Sequence, residues 1–233
     1  AVPIKLDNDT DFNIDVQNLG KLITKKTSLI ILNSPSNPTG GLISKKDMDA
    51  IVDILDQHPH VHILSDEIYS RIVYQRNHFT SLLSYPNIRE RLIILDGWSK
   101  TYAMTGWRIG YAAGPEDIIK AMSKIQGQAT SCANSIGQKA SIEALLGDQQ
   151  CVEDMKKSFL KRRDLIVQLL NELPGVKCPV PNGAFYVFPD FSYYLNREVN
   201  GKLLKDTFDI SEYILDAVQV VTVPGDGFGS SGH

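Results

Sequence analysis

Three short apolar runs stand out in the first half of the chain, at residues 28–32, 61–64 and 92–95. Each run is nearly continuous and is bounded by polar, Gly or Pro residues, which is typical of a buried strand. A segment with helical periodicity separates the first two runs. This order of strand, helix, strand and strand predicts a mostly parallel sheet with helices on both faces, and therefore an α/β fold.

Amphipathic patterns predict the helices that accompany this sheet. Residues 44–47 resemble a capping box that starts a helix. The predicted buried face of this helix is Met48, Ile51, Val52, Ile54 and Leu55. A helix after Pro115 would bury Ile118, Ile119, Met122 and Ile125, and a further helix is predicted over 135–146. A long helix over 151–173 would turn inward Phe159, Ile166, Leu169 and Leu170, and its solvated basic face would be Lys156, Lys157, Lys161, Arg162 and Arg163.

The composition changes after the Pro174-Gly175 pair, which ends the long helix. Beyond this pair, strand patterns at 184–188 and 220–223 flank an amphipathic helix at 211–217. We therefore predict two domains, a large α/β domain over 1–173 and part of a smaller α+β domain over 174–233.

Composition and charge exclude several classes of function. The chain has 233 residues, is 42% hydrophobic and 22% charged, and its 24 basic and 27 acidic residues give a net charge of −3. It therefore lacks a basic field that would attract nucleic acid or an anionic membrane. No apolar run approaches transmembrane length, and no signal-peptide pattern opens the chain. Three widely spaced cysteines without a CxxC pair favour reduced thiols that pack in the interior of a cytoplasmic protein.

The alternating histidines at His58, His60 and His62 could suggest a metal site. Pro59 instead marks the end of a helix, and no carboxylate or thiolate ligand set lies nearby in the sequence. We therefore predict no metal site.

The candidate chemistry concentrates in residues 96–110, which follow the third apolar run. Lys100 lies just past this predicted strand, where open α/β sheets hold their ligands. Partial desolvation there lowers the pKa of a lysine amine and makes it a nucleophile toward a carbonyl carbon. The small residues Gly97 and Ser99 let a flat ligand approach the backbone, and Arg108 offers a planar fork for phosphate. The alternative is an ordinary surface lysine.

Two further stretches supply the groups that such a lysine needs. Asp66 follows the second apolar run, so its carboxylate would face the same crevice as Lys100, and its alternative role is a helix N-cap. Tyr69 is three residues further on and would share one face with Asp66 in a helical turn. Asn37 precedes Pro38, which restricts the Asn37 backbone and fixes where its amide points; a plain turn is the alternative there.

Together these stretches resemble the pyridoxal-phosphate-dependent aminotransferases of fold type I, class I/II, and lean toward the aspartate-aminotransferase-like members. The matching motifs occur in the family's order over nearly the whole chain: Asn37-Pro38-Thr39-Gly40, Asp66-Glu67-Ile68-Tyr69, Ser99-Lys100 with Met104-Thr105-Gly106-Trp107-Arg108, Gly183-Ala184-Phe185-Tyr186, and Val223-Pro224-Gly225 with Phe228-Gly229. The chain departs from the family at Gly97, where many relatives carry a phosphate-binding Ser or Thr, and at the bulky Trp98.

The resemblance implies a role for each candidate residue. Lys100 would hold pyridoxal 5′-phosphate as an aldimine and then move a proton between the substrate Cα and the cofactor. Asp66 would pair with the pyridine nitrogen, while Asn37 and Tyr69 would hydrogen-bond the phenolic oxygen O3′. Arg108 would bind the phosphate, with Ser99 as a second donor.

The resemblance also implies the activity, which is amino-group transfer from an amino acid to a 2-oxo acid, in a homodimer with no nucleic-acid or membrane partner. The family's phosphate loop, stacking aromatic residue and substrate-clamping arginine have no counterpart here. We therefore expect an internal part of a longer enzyme, incomplete in both domains and poorly active alone. A β-lyase or synthase of the same fold type would use the same core residues. A non-catalytic sensing domain or an inactive fragment is the third alternative.

Overall fold

A four-stranded mixed sheet forms the centre of the computed structural model, which describes residues 1–4, 6, 12–74 and 79–229. The strands lie side by side in chain order: the first three are parallel, and the fourth is antiparallel to the third. Their bounds are Leu29–Asn33 (β1), His62–Asp66 (β2), Leu92–Gly97 (β3) and Gly110–Ala113 (β4). The three predicted strands are therefore present, and each extends one or two residues further at its C-terminal end.

Helices precede, separate and follow these strands in the described part of the chain. Their bounds are Val16–Leu22 (α1), Lys45–Asp56 (α2), Trp98–Thr101 (α3), Glu116–Thr130 (α4), Ser135–Leu146 (α5), Gln150–Asn171 (α6) and Thr207–Val218 (α7). α7 begins four residues before the predicted start because the Asp206 side chain caps it and accepts a hydrogen bond from Asp209 N. No helix among the described residues is both long and apolar enough to cross a membrane.

The main hydrophobic core lies between α2 and the sheet. α2 begins after Ser44, whose hydroxyl accepts a hydrogen bond from Asp47 N at 3.1 Å, as the capping pattern predicts. One cluster joins its buried face to the strands: Met48, Ile51, Val52, Leu55, Ile30, Leu32, Ile63, Leu92 and Ile94. Burying a side chain of this size contributes about 1.5–3 kcal/mol, so this contact holds the strands that carry the candidate site.

The predicted buried face of α4 is wrong, and that of α6 is only partly correct. In α4, Met122 is 37% exposed and Ile125 is 72% exposed, and no residue of this helix is buried. In α6, Phe159 is half-buried and packs against the cluster that contains Tyr69, but Ile166 and Leu169 are exposed. The buried residues of α6 are Val152 and Val167. The Asn171 side chain bonds both backbone groups of Cys178 and so holds the returning chain to the last turn of α6.

The predicted basic face of α6 is only partly solvated. The Arg163 guanidinium donates to Pro181 O at 3.1 Å and lies 4.7 Å from the centre of the Tyr74 ring. A cation that stacks on an aromatic face in this way is held by the fold rather than by water. The packing role predicted for the cysteines is also wrong for Cys132 and Cys151, which are exposed, whereas Cys178 is buried.

Neither strand predicted after Pro174 forms. Residues 184–188 make no ladder, and the nearest pairing is a single bridge between Val73 and Gly183. Residues 220–223 are irregular, with Val221 and Val223 exposed. In the described part of the chain no neighbouring strand offers these apolar segments a hydrogen-bonded partner. A hairpin forms between them instead, with Arg197–Val199 (β5) antiparallel to Lys202–Leu204 (β6).

The segment 181–186 lies beyond the predicted domain boundary but packs on the sheet domain. Asn182 N and Gly183 N both donate to Gly40 O, at 3.1 and 3.0 Å, and Ala184 N donates to Ile72 O at 2.9 Å. The division into two domains stays a prediction. The contacts of this segment bring the motif at 183–186 to the candidate site.

Candidate active site

The candidate site lies where the three parallel strands end. Asn33 ends β1 and pairs with Asp66 at the end of β2, and Asp66 in turn pairs with Leu95 of β3. α3 begins directly after β3 and carries Ser99 and Lys100. Since the carboxyl ends of parallel strands share one edge of the sheet, these side chains meet in the crevice where such folds bind ligands.

The backbone carbonyl and one carboxylate oxygen of Asp66 accept hydrogen bonds, and the second carboxylate oxygen accepts none from the described residues. Asn33 Nδ2 donates to the Asp66 carbonyl oxygen at 3.1 Å, and Ile68 N donates to Asp66 Oδ1 at 3.2 Å. Residues 68–71 form turns rather than a helix, so Asp66 is not a helix N-cap. Within the residues described, no donor reaches Asp66 Oδ2. This oxygen can therefore accept a hydrogen bond from a cationic N–H group of a ligand.

Asn37 connects the ends of β1 and β2. Its backbone N–H donates to Asn33 Oδ1 at 2.7 Å, which fixes the loop after β1. Its side chain lies close enough to the Tyr69 hydroxyl to affect the pKa of that phenol. Asn37 and Tyr69 therefore lie at the same edge of the sheet.

Two glycines let the loop after β1 interlock with residues 181–183. Gly40 has a φ of +69°, and a Cβ there would lie 2.4 Å from Pro181 Cβ. A Cβ on Gly183 would lie 2.6 Å from Pro35 Cβ. Both distances are far below ordinary contact, so only hydrogen atoms fit at these two places.

Tyr69 lies in the turn that follows Asp66, and the residue is 2% exposed. Burial, reinforced by a hydrogen bond with Tyr186 and by the charge of Asp66, raises the pKa of Tyr69 far above its ordinary value. The nearby Asn37 amide opposes this change. Tyr69 is therefore a neutral phenol at physiological pH and has a proton to donate.

Lys100 projects its amine over aromatic rings. Lys100 Nζ lies 5.8 Å from the centre of the Tyr69 ring and 5.5 Å from that of Phe185. No described carboxylate forms an ion pair with this amine, although Lys100 is only partly exposed. Among the described residues, the Lys100 amine thus lies beside two aromatic rings with no carboxylate partner.

Ser99 and Arg108 make no hydrogen bond to Asp66, Asn37, Tyr69 or Lys100 through their side chains. Ser99 sits beside Lys100 in α3, and its hydroxyl has no hydrogen-bond partner among the described residues. Arg108 is exposed, and its NH1 group donates to Thr105 O at 3.0 Å, because its left-handed backbone (φ 55°) folds the side chain over its own turn. The register that pairs Gly97 with Gly110 still places Arg108 at the same edge of the sheet.

Glu67 supports the site from the interior, a role that the sequence did not suggest. It is 6% exposed, and its Oε1 accepts hydrogen bonds from Ser65 Oγ, Ser81 Oγ and Leu82 N, at 3.1, 3.0 and 3.1 Å. Burial is the main cause that raises its pKa above the ordinary value. The residue after Asp66 therefore anchors this end of β2 to the turn at 81–84.

Glu67→Leu should lower the free energy of unfolding by about 2 kcal/mol or more, because buried donors lose their acceptor. Glu67→Gln keeps an acceptor oxygen and cannot ionise. Because the folded pKa is raised above 4.5, the stability contributed by Glu67 is fully present below that pH and is lost as pH rises through the folded pKa. The free energy of unfolding of Glu67→Gln, measured in urea, should therefore rise relative to that of the wild type as the pH is raised from 4.5 to 8. Equal stability of the Leu and Gln variants would contradict this assignment.

The sequence analysis gave no role to Phe185, Tyr186 or the indole of Trp98. Phe185 and Tyr186 contact the Tyr69 ring edge-to-face, with centroids 5.6 Å away in both pairs. Their motif was recognised, but a motif alone does not say which residues it contacts. Trp98 packs on Tyr111, and its buried Nε1 has no partner among the described residues.

The chemistry of these side chains fits pyridoxal phosphate. An unpaired amine, an unpaired carboxylate oxygen and two hydrogen-bond donors lie together, at Lys100, Asp66, Asn37 and Tyr69. These match in kind a carbonyl carbon, a protonated ring nitrogen and a phenolate oxygen on one flat ring. No group of three or more His, Cys, Asp or Glu in the described part of the chain could hold a metal ion.

Comparison with known proteins gives a consistent result. Residues 1–233 match the family model described as aminotransferase class I and II. An aspartate aminotransferase of Rhizobium meliloti strain 1021 is 43% identical over 232 residues, which is 99% of this chain and 57% of that protein. A bifunctional aspartate aminotransferase and glutamate/aspartate-prephenate aminotransferase of Petunia hybrida is 45% identical over 94% of this chain and 47% of its own length.

Solved structures show the same fold. The crystal structure of the Rhizobium meliloti aspartate aminotransferase superposes with a TM-score of 0.92 at 43% identity, over 98% of this chain and 57% of that one. An aromatic aminotransferase from Pyrococcus horikoshii OT3 gives a TM-score of 0.90 at 36% identity, over 99% of this chain and 60% of that one. The chain therefore spans between 47% and 60% of the length of these relatives.

Proposed function

Because this chain belongs to the class I and II aminotransferase family, we propose that the protein containing it transfers an amino group from an amino acid to a 2-oxo acid, with pyridoxal 5′-phosphate as cofactor. Membership confirms the resemblance and the α/β fold expected from the sequence. The observation that carries the proposal is the meeting of Lys100, Asp66, Asn37 and Tyr69 at one edge of the sheet.

Lys100 binds and then moves a proton. When bound, pyridoxal phosphate supplies an electrophilic carbonyl carbon and a ring that accepts negative charge. Lys100 Nζ would hold the cofactor through that carbon. Once freed by the amino group of the substrate, the Lys100 amine would be the base that accepts the proton of the substrate Cα and donates it back at the carbon that the cofactor supplies. Its place above two aromatic rings limits the water around it.

Asp66, Asn37 and Tyr69 hold the ring and its charge. Asp66 Oδ2 would accept a hydrogen bond from the ring N–H and keep that nitrogen protonated, so that the ring could accept electron density. A hydrogen bond of this charged kind contributes about 1.5–3 kcal/mol. The Asn37 amide and the Tyr69 hydroxyl would donate to the phenolic oxygen. The Asn37 backbone is already fixed by Asn33, and Tyr69 is already buried.

Arg108 and Ser99 are the proposed phosphate ligands. Arg108 lies at the strand edge, but its NH1 group donates to Thr105 O. To bind a phosphate, the guanidinium has to leave this carbonyl and rotate toward the site. Ser99 Oγ lies one residue before Lys100, where it can add a second donor.

The named relatives support a substrate class. Several are aspartate aminotransferases, from which we infer that aspartate is an amino donor for this protein. We further propose a cytoplasmic homodimer, as the cysteine pattern and the family resemblance suggest.

The test is reduction of the cofactor-loaded protein with borohydride, followed by peptide mass mapping. We expect the pyridoxyl label on Lys100 alone, because the lysines of α6 are paired with carboxylates or exposed. Lys157, which pairs with Asp154 at 3.2 Å, serves as the internal control. A label on Lys157 or Lys161 with Lys100 unmodified would contradict the proposal.

A further inference from the structure

The hydroxyl groups of Tyr69 and Tyr186 form a pair that the roles above do not use. Their oxygens lie 2.5 Å apart, although the residues are separated by 117 positions in the chain. The two rings meet edge-to-face, with centroids 5.6 Å apart. The Tyr69 hydroxyl therefore has the Tyr186 hydroxyl as its hydrogen-bonded neighbour.

The valence of a hydroxyl group limits what this arrangement can do. A phenol has one proton to donate and two lone pairs that accept. In the Tyr69–Tyr186 pair either hydroxyl can be the donor. An anionic oxygen is a stronger acceptor than a second phenol, so Tyr69 donates to a ligand oxygen of that kind in preference to Tyr186. The Tyr186 hydroxyl then becomes the donor to a lone pair of the Tyr69 oxygen.

We propose that Tyr186 is a positioning residue that donates its hydroxyl hydrogen bond to Tyr69 and so directs the Tyr69 proton to the anionic phenolic oxygen of the cofactor. The proposal rests on the proposed function, because it needs the cofactor to lie against Tyr69. Tyr186, which does not directly follow any strand of the sheet, thereby joins Asp66, Asn37 and Tyr69 as a residue that influences the charge of the cofactor ring. Chains of hydrogen bonds of this kind strengthen one another in a buried setting.

The backbone around Tyr186 is anchored well enough for this role. Ala184 is fully buried, its N–H donates to Ile72 O at 2.9 Å, and its carbonyl accepts a hydrogen bond from the Tyr74 hydroxyl. Next to it, Phe185 stacks on Phe159 of α6 with centroids 5.1 Å apart. The two residues before Tyr186 are thus anchored, and its hydroxyl already contacts that of Tyr69.

The experiment is a pH titration of the absorbance of the lysine-bound cofactor, in the protein and in Tyr186→Phe. Losing the donor weakens the hold on the more negative, deprotonated form, so the apparent pKa should rise by about 0.5–1 unit. Tyr194→Phe is the matched control, since its hydroxyl donates to Pro174 O at 2.9 Å, away from the site. This control should titrate as the wild type does.

A double-variant cycle separates positioning from structure. In a Tyr69→Phe background, Tyr186→Phe should cause no further shift, because its effect passes through the Tyr69 hydroxyl. A Tyr186→Phe protein that titrates as the wild type, that shifts equally in both backgrounds, or that no longer folds overturns the proposal. Absence of any lysine-bound band in the wild type would instead overturn the proposed function, so the two failures are distinguishable.

Discussion

Replacing Lys100 with alanine should abolish amino-group transfer by the protein that contains this chain. Among the described site residues, the Lys100 amine is the group that can both bond to a carbonyl carbon and move the proton at the substrate Cα. Loss of a positioned general base alone lowers a rate by about 10²–10⁴-fold, and loss of the covalent attachment adds to this. The measurement is the half-reaction with excess aspartate, followed by cofactor absorbance.

Two controls make this result specific. Lys157→Ala removes an exposed lysine paired with Asp154 and should react at the wild-type rate. A small primary amine added to Lys100→Ala should restore part of the rate, because it can act as the missing base in the space left behind. A Lys100→Ala rate within tenfold of the wild type would show that another group is the base.

Asp66→Ala should lower the rate of the half-reaction by about 10²–10³-fold, the effect expected when one charge-stabilising partner is lost. Asp66 Oδ2 is the carboxylate oxygen available to keep the ring nitrogen protonated. Attachment of the cofactor to Lys100 does not need that proton, so borohydride should still label Lys100 in this variant. The yield of label and the rate of transfer therefore separate binding from chemistry.

Asp66→Asn tests whether the charge itself matters. An asparagine keeps an oxygen for Ile68 N but lacks the negative charge, so this variant should lose as much rate as Asp66→Ala. Asp164→Asn, at an exposed carboxylate of α6 that pairs with Arg163, is the control and should retain the wild-type rate. Rapid transfer by Asp66→Asn would mean that the carboxylate does not protonate the ring.

The meeting of Asp66, Asn37 and Lys100 was predictable because it follows from one rule about parallel strands. Each residue follows an apolar run, and the carboxyl ends of such strands lie at one edge. The contact between Tyr69 and Tyr186 was not predictable in this way. It depends on residues 181–186 folding back on the sheet domain, which no local periodicity encodes.

Helix faces failed for a related reason. The spacing of Met122 and Ile125 shows that one face of α4 is apolar, but it does not say what covers that face. Periodicity describes the element, whereas burial depends on a second element that the pattern does not identify. The predicted buried face of α2 is correct because the strands that cover it are those that precede and follow α2 in the chain.

The β5–β6 hairpin could have been predicted, and its signal was overlooked. Asn200 and Gly201 connect the two strands with φ values of 50° and 81°, the positive angles that a tight hairpin turn requires. An Asn-Gly pair between short apolar and charged segments is a strong local signal for such a turn. The strand lengths are only three residues each, which explains why alternation did not reveal them.

The two interlocking glycines limit how this sequence can vary over evolutionary time. At position 40 a residue other than glycine is disfavoured for two reasons, the positive φ and the contact with Pro181. At position 183 the reason is the contact with Pro35. A mutation at either glycine cannot be compensated by shortening the opposing side chain alone, because Gly183 O and Ile72 O also crowd the added atom. Substitutions at these two positions are therefore not tolerated, whereas substitutions at neighbouring surface positions are. We expect both glycines to be kept in descendants whose substrate preference has changed.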